Sequence, residues 1–394
     1  MNNSSHIPDM AIESRSMSAG KAALLTLPMA GITVVLILGS TPSTAPLRLI
    51  PALIVWMFVN ILFFRMLATG NTDRYRAILF IILAVCLPPS FILELYELRG
   101  HFMVLTPEDV LRGQTPFCHI VIPQTLLPAI VNRDIIFAGS LTGFAYSIGN
   151  MIVLWLGVTL VLGRGWCSWA CIYGGWDDAW SRLRKRFVIK KIDRTWTYVP
   201  FALLLAIVLL SAVTYFPEYC NWLCPFKAVT EFEAVTSVKT AIQTIIFAAL
   251  FIGLVIVLPI LTKRRIQCAC FCPFGAMQSF TNLISPFDIR IDSEKCVQCR
   301  RCIQACPVFA LREENLAAER PALTCVKCGK CADICPQRAI TYHIKGTRLH
   351  VRSQIARLLF LYPAFLVLVL MSAGFLSDLL YRLGLLVTTG SLLQ

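Results

Sequence analysis

Apolar residues along this chain come in long unbroken runs, not in the alternation of strands or the one-sided stripes of soluble helices. A membrane-crossing helix needs roughly 20 mostly apolar residues. Seven stretches meet that requirement, at about 22–42, 48–67, 77–96, 139–163, 198–216, 240–262 and 357–377. Pro88 and Pro89 predict a kink or early stop in the third. Residues 378–387, DLLYRLGLLV, are expected to lie along an interface. Residues 286–345 break the pattern. The predicted fold class is an all-α multispan membrane bundle of about seven transmembrane helices with a small α+β insert. The domains expected are a cytoplasmic tail (1–21), a membrane domain of six spans (22–285), the insert (286–345) and a transmembrane anchor (346–394).

Composition agrees with this reading. Hydrophobic residues make up 57% of the 394 and charged residues 15%, against about 25% charged in soluble domains. The net charge of +14 is unevenly spread. Twenty-nine of the 36 basic residues fall in the N-terminal tail, 65–76, 164–196 and 263–357. Strict alternation of seven spans puts all four segments on one face, which the positive-inside rule makes cytoplasmic. The charge is thus a topology signal, not a nucleic-acid footprint. The location expected is the bacterial cytoplasmic (inner) membrane, multi-pass, with no cleavable signal peptide because the first apolar run is too long and starts too late. No span carries an ionisable residue at mid-depth or any of the five histidines, which speaks against an ion pathway or an intramembrane bis-histidine haem.

Seventeen cysteines decide the chemistry. Residues 286–345 contain two copies of C-x2-C-x2-C-x3-C-P, at Cys296, Cys299, Cys302, Cys306 and at Cys325, Cys328, Cys331, Cys335. This is the bacterial two-cluster ferredoxin signature, in which three closely spaced thiolates wrap one cubane and the fourth serves the other. The spacing assigns Cys296, Cys299, Cys302 and Cys335 to one [4Fe–4S] cluster and Cys325, Cys328, Cys331 and Cys306 to a second. Zinc ribbons show paired CxxC motifs instead. The ten basic and seven acidic residues between 288 and 345 offset anionic clusters or present a solvated face to an acidic donor.

Three CxxxC pairs stand at span ends: Cys167/Cys171, Cys220/Cys224 and Cys268/Cys272, the last with Cys270 between. A separation of four puts both thiols on one helix face. The first and third pairs share the cytoplasmic side and are expected to form a third cluster, with redox-active thiols as the rival reading. Cys220/Cys224 falls on the opposite face, where Cys118 with His119 or Cys86 would complete a metal site. A disulfide or thiol pair explains that face about as well. Cys86 and Cys270 read most simply as buried free cysteines, and Trp166, Trp169 and Trp222 as interfacial anchors.

GRGWCSWAC (163–171), CACFCPFGA (268–276) and the doubled ferredoxin motif together resemble the membrane polyferredoxins, the family of NapH, NosR and CcoG, over about 139–345. Ile172 stands where that family has proline, and no flavinylation motif is present. The resemblance implies [4Fe–4S] clusters and electron movement between quinol or a cytoplasmic donor and a partner across the membrane. The function expected is therefore a membrane-bound iron–sulfur electron-transfer subunit, exchanging electrons with a redox partner or respiratory complex and with quinone, not a stand-alone catalyst. A copper-handling maturation or assembly factor is the alternative. A gap accompanies the first reading: the hydrocarbon core is about 30 Å thick, so inner and outer cysteine motifs need a bridge, unless the outer motif sits deeper.

Overall fold

The computed structural model describes residues 16–39, 46–98, 118–133, 148–189, 192–230, 237–347 and 353–392. Most of the 97–138 loop and the start of the 139–163 span lie outside these. Among the described residues six helices are long and apolar enough to cross a membrane: Ala19–Leu38, Leu49–Thr69, Gly149–Trp169, Thr195–Thr214, Val238–Thr262 and Ser353–Thr389. Their environment fits that role. Val238–Thr262 has a mean hydropathy of 2.9 in its most apolar window and only 11% of that window is buried. So much exposed apolar surface is costly in water and costs nothing in lipid.

The expected seventh span, 77–96, falls within the helix Thr72–Leu98, part of whose side chains lie outside the described residues. That helix continues past Pro88 and Pro89 without an early stop. Segment 378–387 does not turn along an interface; it continues the 37-residue helix Ser353–Thr389.

Local chemistry sets the helix ends. Ser237 and Thr240 form a reciprocal capping box, the Thr240 amide donating to Ser237 Oγ at 3.2 Å and the Ser237 amide to Thr240 Oγ1 at 3.0 Å. Gly70, at φ 77°, ends Leu49–Thr69 in the left-handed conformation that glycine takes without strain.

The cysteine-rich unit is built on a two-stranded antiparallel sheet, β1 (Phe287–Ile291) and β2 (Ile340–Ile344), with Phe287 opposite Ile344 and Ile291 opposite Ile340. It sits directly on the apolar helices. Phe360, at the start of Ser353–Thr389, stacks on Tyr342 at 4.8 Å and meets Trp169 edge-on at 5.8 Å. Asp333 accepts the backbone N–H groups of Thr72 (3.1 Å) and Asp73 (2.7 Å), so a carboxylate from this unit caps the positive end of Thr72–Leu98. Buried Arg357 donates to the carbonyls of Met66 (3.0 Å) and Gly70 (3.1 Å) and to Thr72 Oγ1 (3.2 Å). Further along, Phe63 packs between Tyr362 and Phe365 at 5.3 and 5.0 Å.

Arg357→Met keeps the volume but strands two buried carbonyls, each worth about 1–3 kcal/mol when unsatisfied. The variant is expected to unfold at lower temperature in detergent, with the cysteine-rich unit becoming protease-sensitive first; an unchanged melting profile refutes the clamp.

Candidate functional site

In the cysteine-rich unit the two motif copies repeat in backbone as well as in sequence. Gln298 and Lys327, Arg300 and Gly329, and Phe309 and Arg338 occupy matching places and all have positive φ. These left-handed residues turn the loop so that its amides face sulfur. The amide of Ala310 donates to Cys306 Sγ and that of Ala339 to Cys335 Sγ, each at 3.3 Å. Cys325, Cys328, Cys331 and Cys306 stand together as electrostatic neighbours, Cys325 half-buried and the other three buried. Cys296, Cys299, Cys302 and Cys335 line one small hollow. An all-sulfur donor set, a hollow and amides turned to sulfur fit iron–sulfur cubanes.

The three CxxxC motifs form three hooks of one design. Each follows a long apolar helix, makes a wide turn and breaks at its second cysteine. The Cys171 amide reaches back five residues to the Trp166 carbonyl (3.0 Å), and the Cys272 amide to the Gln267 carbonyl (2.8 Å). Cys171, Cys224 and Cys272 share an extended backbone, with φ −73 to −75° and ψ 109 to 114°. Cys306 and Cys335 fall in the same region, at ψ 115°. The bend turns the thiol back over the next helix, where Cys171 Sγ accepts from the Gly174 amide (3.3 Å) and Cys272 Sγ from the Gly275 amide (3.4 Å). A Cβ on Gly174 would collide with the Cys167 carbonyl and the Arg265 guanidinium.

Cys167, Cys171, Cys268 and Cys272 come together as neighbours, the first three buried and Cys272 half-buried. Buried charge holds them. Arg265 donates to the Cys167 carbonyl (2.6 Å), Ser168 Oγ (2.9 Å) and Cys268 Sγ (3.2 Å). Arg164 donates to the Cys268 carbonyl (3.1 Å) and Ser279 Oγ (2.5 Å). Asp177 accepts the Cys268 amide at 2.8 Å; burial pushes its carboxyl up to about 7 despite Arg265. Arg76 donates to the Ser168 carbonyl (2.9 Å) and pairs with Asp73 (2.7 Å) and Asp178 (3.0 Å), and Arg182 also pairs with both carboxylates. Burial alone would raise the Asp178 pKa, but Arg182, Arg76 and Arg265 hold it below the usual carboxylate range.

The second hook is brought to the same place. Cys118 Sγ stands 3.7 Å from the Tyr173 hydroxyl, and Cys224 neighbours Cys118 and Cys220. Gln124 donates to Cys220 Sγ (3.3 Å) and accepts the Tyr219 amide (2.9 Å). His119 Nε2 lies 3.1 Å from Cys171 Sγ, so the imidazole expected in the outer set touches the inner one. The expected 30 Å separation is therefore absent: Tyr173 neighbours Cys118, Cys224 and Cys171 together. Cys86 is buried on Thr72–Leu98, and Cys270 is buried near Asp177 and Arg164.

Two further features join the thiol sets to each other and to the apolar helices. Trp169, between Cys167 and Cys171, donates its indole N–H to the Lys327 carbonyl (3.2 Å), inside the Cys325–Cys328 loop. Lys327 is buried and donates to the Leu162 carbonyl (3.0 Å) and Ser285 Oγ (2.8 Å); burial pulls its ammonium down to about 7. On the other side a cavity of about 540 Å³ is walled by Cys118, His119, Trp155, Trp166, Tyr173 and Phe375, with Arg48 and Asp378 also on its lining.

Comparison with known proteins accords with this chemistry. Residues 288–336 match the 4Fe-4S dicluster domain family, and 144–191, 196–238 and 244–291 each match the 4Fe-4S binding domain family. The chain carries 4Fe–4S domains. Each of the three repeated matches contains one hook. The chain is 25% identical over 171 residues to the Escherichia coli K12 protein named "Putative electron transport protein YccM", covering 40% of this chain and 45% of that one. It is 25% identical to the uncharacterized Methanocaldococcus jannaschii protein MJ0750 (43% of this chain, 71% of that one) and 24% to MJ0749 (38% and 54%). The chain thus spans about half the length of two of these three relatives. No solved structure matches.

Sequence reading missed Arg76, Arg164, Arg265, Tyr173 and Gln124. The only signal for Arg265 was its place three residues before Cys268. Asp178→Ala leaves fully buried Arg76 short of a counter-charge, a change that costs about 3–5 kcal/mol. Asp178→Ala should show that loss in chemical unfolding, and Arg76→Leu/Asp178→Leu should recover most of it. Equal instability of single and double variants would contradict the pairing.

Proposed function

We propose that this protein is a membrane-bound electron-transfer subunit that passes single electrons between its two-cluster unit and a quinone in the 540 Å³ cavity. In this reading it is a multi-pass protein of the bacterial cytoplasmic membrane, with the two-cluster unit facing the cytoplasm and a redox partner. Cys296, Cys299, Cys302 and Cys335 hold one cubane, Cys325, Cys328, Cys331 and Cys306 a second, and Cys167, Cys171, Cys268 and Cys272 a third. When bound, such clusters accept and release one electron at a time, at potentials set by charge, burial and hydrogen bonds to sulfur.

The observation that carries the reading is the Trp169–Lys327 hydrogen bond, which seats a side chain of the first hook on a cysteine loop of the two-cluster unit. Electron transfer needs close centres, and this contact makes two thiol sets neighbours across an excluded-water boundary. Arg265 and the Gly174 and Gly275 amides place positive charge against hook sulfurs, which favours the reduced state. The cavity suits a quinone: its volume is in the range of small-molecule sites, its walls are aromatic and its polar groups are few. Oxidising a quinol releases two electrons and two protons. The hooks beside the cavity would take the electrons one at a time, and both protons would leave to solvent. The name of the Escherichia coli relative points the same way.

Anaerobically purified protein, reduced with dithionite and mixed with a soluble quinone analogue, should lose its cluster EPR signals within the mixing time. Signals that persist for minutes would defeat the reading. Gly374 lines the cavity and has open space at its Cβ position. Gly374→Phe should slow that reoxidation at least tenfold with iron content unchanged; a rate equal to the parent's would remove the quinone from this cavity.

A further inference from the structure

The CxxxC pairs of the three hooks supply six thiols, and the tetrad uses four. The second hook, Cys220 and Cys224, is left over, yet it packs against the tetrad and does not stand alone. A seventh thiol joins it from outside the three matched stretches. Cys118 precedes the short helix Ile122–Asn132 and reaches the Tyr173 hydroxyl and the neighbourhood of Cys224. The same helix contributes Gln124, a fully buried amide whose N–H points at Cys220 Sγ and whose oxygen takes the Tyr219 amide. A helix from elsewhere in the chain is thus fastened to the second hook by two contacts, one of them a donor aimed at sulfur. That is the environment the other hook sulfurs have, where Gly174, Gly275 and Arg265 supply the donors.

We propose that Cys118, Cys220 and Cys224 hold a fourth [4Fe–4S] cluster beside the tetrad, the centre nearest the cavity. Among the described residues no three or more His, Cys, Asp or Glu side chains are arranged around a single metal ion. The same holds for the eight cysteines of the matched dicluster domain. A cubane places each thiolate on its own iron, so its ligands stand farther apart than those of one zinc. Three thiolates leave one iron open to a non-cysteine ligand, and Cys118, His119 and Tyr173 line the cavity at this wall. The six-thiol arithmetic rests on the cluster reading of the hooks, and the experiment separates the two.

Iron and acid-labile sulfide are counted per chain in anaerobic full-length protein. Four cubanes give about sixteen irons, and Cys118→Ser should reduce the count to about twelve. A parent count of about twelve, unmoved by Cys118→Ser, overturns the fourth cluster and keeps the tetrad. A parent count of about eight overturns both, and zinc in place of the extra iron overturns the fourth cluster alone. Brief oxidation of the parent should release the iron that lacks a thiolate and produce a three-iron EPR signal, absent from Cys118→Ser. Should Cys118→Ser fail to fold, Gln124→Leu decides: it keeps every thiol, so iron should stay at the parent count while one cluster becomes harder to reduce. A full set of unshifted potentials in Gln124→Leu overturns the site.

Discussion

Removing a guanidinium from water costs several kcal/mol unless its hydrogen bonds are replaced. This chain does so at Arg76, Arg164 and Arg265, each essentially inaccessible. The replacement partners are the hooks: Arg265 takes the Cys167 carbonyl and Cys268 Sγ, Arg164 the Cys268 carbonyl, and Arg76 the Ser168 carbonyl between Cys167 and Cys171. Neither the first nor the third hook can shift without unpairing a buried charge. A scaffold so constrained keeps its sulfur atoms fixed when charge arrives or leaves, which is what a one-electron centre requires.

The same conformation recurs wherever a thiol must face away from its own helix. Cys171, Cys224, Cys272, Cys306 and Cys335 all break helical geometry at nearly the same backbone angles. Proline follows four of the five. It restricts the preceding residue to extended geometry, so the cysteine is bent before any metal arrives. At Cys171 the follower is Ile172, and the bend survives there because Gly174 lets the Cys167 carbonyl and Arg265 approach closely.

Most of the chemistry was readable because it is local. The doubled ferredoxin motif lies within forty residues (Cys296 to Cys335), and its spacing alone groups the thiols. The apolar runs were also readable, since a twenty-residue requirement leaves few placements. Two things were not. Strict alternation of spans sends Cys220 and Cys224 to the far face, whereas Tyr219 and Gln124 anchor that hook next to Tyr173 and the tetrad. Alternation counts crossings and has no means of representing a segment that folds back between helices. Charge counting was the second blind spot. Arg76, Arg164 and Arg265 entered the tally as orientation signals, yet they are interior ligands of carbonyls and sulfur, and no sequence pattern separates a buried arginine from a surface one.

The helix Ser353–Thr389 lies against Leu49–Thr69 and Thr72–Leu98, burying Phe63 and receiving Arg357 at their junction. The ribosome makes those partners some three hundred residues apart. During synthesis the early helices must wait in the bilayer with an unfilled flank until the late one arrives. The cysteine loops are already outside the ribosome by then. That junction therefore cannot close until residues past Arg357 have been made, after both copies of the cysteine motif.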